Sequence, residues 1–258
     1  MMANHNGLIK GVKNDRKKFL TGYFIAGDPS FEESVRLIKQ GVDAGLDVVE
    51  VGIPSKSPFL DGDVIQKAQE RTRKHFYKKS QYIALLQRLR QEVHVPIWVM
   101  GYSSDVVCEN LYIDLAEEGL ADAFIIPDLS KERLKAVREK LERYRVQVIP
   151  VVNKEMNDED LSFVSQGSDI IYCQLYAGKT GEDVDSLDFL PQLEKKMRKV
   201  TNGALMAGFG IKTPRRVQEV IGYGFDGVVV GSEIVRHIEQ KQTKTLVRFI
   251  RSLKQATK

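Results

Sequence analysis

Short, continuously apolar runs alternate along this chain with segments whose apolar positions recur every three to four residues. The runs predict strands over residues 19–26, 48–51, 96–100, 123–126, 147–152, 170–175, 204–207 and 227–230. Helical spacing predicts helices over 64–74, 80–93, 111–118, 131–144, 158–166, 187–200, 214–223 and 243–254. Another helix follows the first strand. Ser30 is its N-cap, Glu33 stands where a capping box needs an acid, and Val35, Leu37, Ile38 and Val42 form its stripe before Gly45 closes it. Strands apolar on both faces belong to parallel sheets covered by helices on both sides. About eight such units in 258 residues match the α/β fold of the (β/α)8 TIM barrel, which uses about 250 residues as one domain. A doubly wound open sheet is the runner-up, but no Gly-x-Gly-x-x-Gly follows the first strand.

Composition narrows the function classes. With 42% hydrophobic and 29% charged residues, the chain is that of an ordinary globular protein. The net charge of +4 sits in short basic clusters such as Arg71-Thr72-Arg73-Lys74 and Arg143-Tyr144-Arg145, interleaved with acids. These read as solvated helix faces and argue against a nucleic-acid partner. Cys108 and Cys173 cannot make a disulfide framework, and Cys173 in its apolar run suits a reduced core thiol. No apolar run approaches the ~20 residues of a membrane span. Residues 1–18 are polar, lack a signal-peptide centre and are expected to form a helix capping the barrel bottom. The expectation is one cytoplasmic domain over 1–258, with no membrane contact. His5, His75, His94 and His237 are scattered without ligand spacing, so no metal site is expected.

The second strand carries a carboxylate, Glu50, inside an apolar run, where burying a charge is costly unless it is paired or used. Pro54, Pro58 and Gly62 then break the pattern, and the loop delivers a second acid, Asp61. The two suit a general acid/base pair at a barrel mouth; an ion-paired glutamate beside a solvated aspartate is the alternative. Residues after the strands converge on one face, and phosphate sites commonly follow strands seven and eight. Gly208-Phe209-Gly210 and Gly231-Ser232 stand there, and Gly178-Lys179-Thr180-Gly181 follows strand six. Such loops bring backbone N–H groups and helix starts to an anion. Tyr172, in strand six, points to the same mouth either as a site residue or as a core tyrosine.

In order and spacing these pieces resemble the tryptophan synthase alpha chain family, from about residue 19 to 235. Glu50, Gly52, Pro54, Pro58, Asp61, Gly62, Ile65 and Gln66 match its second strand and loop. Gly27-Asp28-Pro29-Ser30, Pro127-Asp128, Ala177-Gly178, Thr180-Gly181, Gly208-Phe209-Gly210-Ile211 and Gly231-Ser232 match elsewhere. The resemblance implies retro-aldol cleavage of indole-3-glycerol phosphate to indole and glyceraldehyde 3-phosphate in tryptophan biosynthesis. It makes Glu50 the general acid/base, Asp61 the carboxylate at the indole N–H, and Tyr172 the tyrosine that orients Asp61. It places Gly181, Gly210, Gly231 and Ser232 at the phosphate, Tyr23, Met100 and Phe209 around the indole, and Thr180 in the lid. It implies no cofactor in this chain and a heterotetramer with a pyridoxal-phosphate beta chain. Ser55-Lys56-Ser57 stands where the family has Phe-Ser-Asp, Phe59-Leu60 where it has a small and an aliphatic residue, Asp63 where it has proline, and Tyr176 where it has arginine. The resemblance implies that these positions lie in mobile loops, so a second reading is an alpha-type subunit that mainly activates its beta chain.

Overall fold

The computed structural model describes residues 17–174, 189–208 and 210–258. The first half runs β1 (Phe19–Ile25), α1 (Phe31–Asp43), β2 (Val48–Gly52), α2 (Asp63–Arg73), α3 (Lys79–Glu92) and β3 (Ile97–Met100). It continues with α4 (Ser103–Val106), α5 (Leu111–Glu117), β4 (Ala123–Ile125) and α6 (Lys131–Glu142). The second half runs β5 (Gln147–Val148), β6 (Val151–Val152), α7 (Asp158–Ser165), β7 (Ile170–Gln174), α8 (Leu190–Val200) and β8 (Ala204–Gly208). It ends with α9 (Pro214–Gly222), β9 (Gly227–Val230), α10 (Ser232–Glu239) and α11 (Thr243–Gln255).

The strands form one sheet in the order β5-β4-β3-β2-β1-β9-β8-β7-β6, and every pairing is parallel. Its two ends, β5 and β6, are separated only by Ile149-Pro150, so the sheet curls back on one segment and closes as a TIM-type barrel. The sequence suggests a single strand over 147–152. Pro150 interrupts it because proline has no N–H to give the ladder. The backbone still joins both neighbours, with Ile149 N–H donating to Phe124 O at 2.8 Å and Tyr172 N–H to Pro150 O at 2.9 Å.

Register sets the side chains that share the barrel interior. Tyr23 pairs with Glu50 across β1 and β2, and Glu50 with Trp98 across β2 and β3, so all three point to one face. Phe19, Val48, Ile149, Ile170 and Met206 join Trp98 in filling the barrel as a packed core. A larger apolar layer lies between the strands and the helices.

The barrel bottom is tied by aspartates that precede strands. Asp47 accepts the N–H of Leu20, Asp122 that of Ile97 and Asp226 that of Leu205. Each also meets a cation, Lys254, Arg90 and Arg198 respectively. The bottom is thereby fixed by charge-assisted bonds, and the site residues gather at the opposite rim.

Ser30 caps α1 by accepting from Glu33 N–H, as the sequence suggests. The Glu33 carboxylate does not return the bond as a capping box would; it pairs with Arg36 one turn on. The helix expected over 1–18 falls almost wholly outside the described residues, as does the expected start of the 187–200 helix.

Candidate active site

Glu50 projects from β2 into the barrel mouth with 1% of its surface exposed. Its Oε2 has no hydrogen-bond partner, and no ion pair involves it, among the described residues. Among the described residues, the ion-paired alternative is not the arrangement found. Burial, followed by the nearby charge of Asp61, pushes its carboxyl up to about 8. At neutral pH the group carries its proton.

Asp61 reaches the same cleft from the β2 loop and is held there by named donors. Gln69, on α2, donates its side-chain amide to Asp61 Oδ2 at 2.8 Å. Tyr102, just beyond β3, donates its hydroxyl to the same oxygen at 2.9 Å and accepts Leu60 N–H at 3.0 Å. The loop is braced again where Gln66 donates to the carbonyls of Pro58 and Asp61. Charge-assisted bonds of this kind favour the ionised carboxylate. Glu50 and Asp61 are thus one neutral acid and one bonded acid sharing a cleft.

Tyr23 and Tyr172 complete the acid end. Both hydroxyls are pushed well up, by burial first and then by the charges of the two acids. Tyr102 is raised by the same causes, burial and then Asp61. Two glycines make room for these rings. A Cβ on Gly52 would lie 2.2 Å from the Tyr23 hydroxyl, and one on Gly208 would lie 2.3 Å from that of Tyr172. A side chain at either position would have to push the ring aside, because such close approach to the strand needs bare backbone.

Both acids open onto one cleft at the barrel mouth. Met100, with Ile65, supplies apolar wall, and Gly210, Lys212, Gly231 and Ser232, from the segments after β8 and β9, also line the cleft. Gly210 adopts φ 75°, a left-handed conformation that favours glycine. Gly231 caps α10 and Ser232 begins it, so N–H groups of a helix start meet the cleft, with the partial positive charge that attracts anions.

The structure therefore gathers Tyr23, Glu50, Asp61, Met100, Tyr172, Gly210, Gly231 and Ser232 around one cavity. Thr180, Gly181, Phe209 and Tyr176 lie outside the described residues. Tyr102, Gln69 and Lys212 were not singled out by sequence. Gln69 carried a signal: with Ile65, Ala68 and Thr72 it falls on the buried stripe of α2, a polar residue where an apolar one is expected. Tyr102 sits two residues past a strand end, at the rim where site residues gather.

The family model described as Tryptophan synthase alpha chain matches residues 9–258. The tryptophan synthase alpha chain of Petrotoga mobilis is 31% identical over 95% of this chain and 98% of that protein. That of Carboxydothermus hydrogenoformans is 34% identical over 90% and 88%. Among solved structures, tryptophan synthase subunit alpha from Legionella pneumophila superposes with a TM-score of 0.85 at 28% identity, covering 100% of this chain and 99% of that one. A structure of Mycobacterium tuberculosis tryptophan synthase gives 0.89 at 22% identity, covering 100% and 99%, a likeness of fold.

Proposed function

The chain belongs to the tryptophan synthase alpha chain family, lyases of indole-3-glycerol phosphate, and from that premise we propose that Glu50 and Asp61 carry the cleavage. The observation behind this reading is the asymmetry of the two acids: Glu50 buried and raised to about 8, Asp61 held by two donors.

The reaction needs a proton on indole C3 and loss of one from the adjacent glycerol hydroxyl. Glu50 enters as the neutral acid and gives its proton to C3, which leaves positive charge on the ring nitrogen. Asp61 accepts the indole N–H and offsets that charge as it develops. The bond from C3 to the glycerol carbon then breaks, and its electron pair restores the indole ring. The hydroxyl carbon becomes the aldehyde, and its proton passes to the Glu50 carboxylate, which ends as it began. Proton transfer and charge stabilisation complete the step with no cofactor drawn from this chain.

Tyr23 and Met100 fit the indole end, and Gly210, Gly231 and Ser232 fit the phosphate. The family resemblance adds Phe209 to the indole end, Gly181 to the phosphate and Thr180 to the lid. Tyr172 supports the acid pair. Tyr102 and Gln69 take a direct part in orienting Asp61, a task the family resemblance gave to Tyr172.

A beta-chain partner in a heterotetramer is part of the same reading. On the loop bearing Asp61, Phe59 is 56% exposed and Leu60 38%, an apolar rim suited to burial by a partner. No helix among the described residues is long and apolar enough to cross a membrane.

The test is indole release from indole-3-glycerol phosphate by wild type and Asp61→Asn, with and without a tryptophan synthase beta chain. Release by wild type that drops at least tenfold in Asp61→Asn supports the lyase. No release, with faster beta-chain condensation of indole and serine, supports the activator reading instead.

A further inference from the structure

The loop between β2 and α2 departs from the family pattern at Ser55, Lys56 and Ser57, yet Ser55 is buried and fully engaged. Its N–H donates to Gln69 Oε1 at 2.7 Å, and its hydroxyl donates to Asp105 Oδ2 at 2.6 Å while accepting Ser57 N–H at 3.1 Å. Gln69 is only 2% exposed, and its other amide atom meets Asp61 Oδ2. The orientation of that amide is forced. A backbone N–H can only donate, so the atom facing Ser55 must be the carbonyl oxygen and the atom facing Asp61 must be the NH2.

We propose that Gln69 is a positioning residue for Asp61, set in place by Ser55, so that the β2 loop and α2 fix this carboxylate through the relay Asp105–Ser55–Gln69–Asp61. This rests on the lyase reading for its consequence in turnover, but the geometry it describes does not. Within it the departure at Ser55 is a bracing device. The relay gives Asp61 a donor from α2, independent of the segment after β7. Gln69 touches no reacting atom in this scheme and acts by keeping Asp61 ionised and aimed.

Gln69→Met removes the donor at nearly constant volume. The expected result is a fall in kcat for indole release of at least tenfold, with KM for indole-3-glycerol phosphate changed less than threefold. Gln69→Glu keeps the acceptor for Ser55 and places a second carboxyl against Asp61, and the two share one proton. While that proton is present the introduced carboxyl still donates to Asp61. Activity relative to wild type should therefore stay within threefold at pH 6 and fall at least tenfold further by pH 8. A role in packing alone would leave that ratio flat with pH, and a flat ratio overturns the proposal. Should wild type release no indole, the lyase reading fails, and the positioning claim is decided separately by ¹³C NMR titration of aspartate carboxyls, with Asp61 assigned through Asp61→Asn. Its midpoint should rise by at least one pH unit in Gln69→Met. An unchanged midpoint overturns the proposal. If Gln69→Met does not fold, the same titration in Gln69→Glu decides, with coupled titration expected and an unperturbed Asp61 contradicting it.

Discussion

The Tyr102 hydroxyl donates to Asp61 Oδ2 at 2.9 Å while accepting the N–H of Leu60 at 3.0 Å. One phenol thus fixes both the site carboxylate and the backbone that carries it. Tyr102→Phe removes the donor and leaves Leu60 N–H without that acceptor, a loss of about 1–2 kcal/mol by the usual cost of a broken, partly buried bond. The expected outcome is a correspondingly lower denaturant midpoint and a kcat for indole release roughly tenfold lower, because the charge that Asp61 offsets is met by a less well aimed carboxylate.

The raised carboxyl of Glu50 predicts the pH dependence of activity. With Glu50 as the proposed acid, the cleavage starts from its protonated form, and the group sits at about 8, so kcat/KM should fall as pH rises through about 8. A profile flat from pH 7 to 9 would contradict this.

Stability should depend on the same group, with the sign set by its direction. Its folded value of about 8 lies above the ordinary 4.5, so between those values the folded chain holds a proton that the unfolded chain has released. Stability from this group is fully present below pH 4.5, declines as pH rises through that window, and levels off above about 8. Glu50→Gln removes the decline. At pH 8 the variant should be the more stable protein, by on the order of a few kcal/mol, in chemical denaturation compared at pH 5 and pH 8.

Gly208 lies against the ring of Tyr172, where a Cβ would come within 2.3 Å. Gly208→Ala must displace that ring in a packed interior. The expected cost is about 1–3 kcal/mol, with activity falling at least tenfold as Tyr172 leaves the acids. Calorimetry and the indole assay on the same sample check both parts.

At the other end of the barrel, Asp122 accepts from Ile97 N–H at 2.7 Å and pairs with Arg90. Arg90 Nε and Nη1 are buried with no hydrogen-bond partner among the described residues, so Asp122 is a main counterweight to that charge. Asp122→Ala should lower stability by roughly 2–4 kcal/mol and leave kcat of the folded fraction unchanged, since the site is at the opposite rim.

What the sequence made legible follows from the range of each signal. Glu50 stood out because one charged residue in an apolar strand breaks a local rule, and Gly208 and Gly231 because glycines at strand ends mark turns. The barrel was legible because its period repeats. Tyr102 and Gln69 were not, since their roles depend on partners 41 and 8 residues away, which no local pattern encodes. Pro150 was visible in the sequence, but whether it ends a strand or only splits one depends on the neighbours β4 and β7. Ser55 stands out in the sequence only as a departure from the family pattern, and only the fold brings Asp105, 50 residues on, to its hydroxyl.

The central claim is that Glu50 moves the proton. Its most direct test is the initial rate of indole release from indole-3-glycerol phosphate at pH 7 by wild type and Glu50→Gln, which preserves shape and hydrogen-bonding capacity but cannot shuttle a proton. The account predicts a loss in kcat of at least about a hundredfold, with KM within a few-fold. A Glu50→Gln enzyme turning over within twofold of wild type would contradict it.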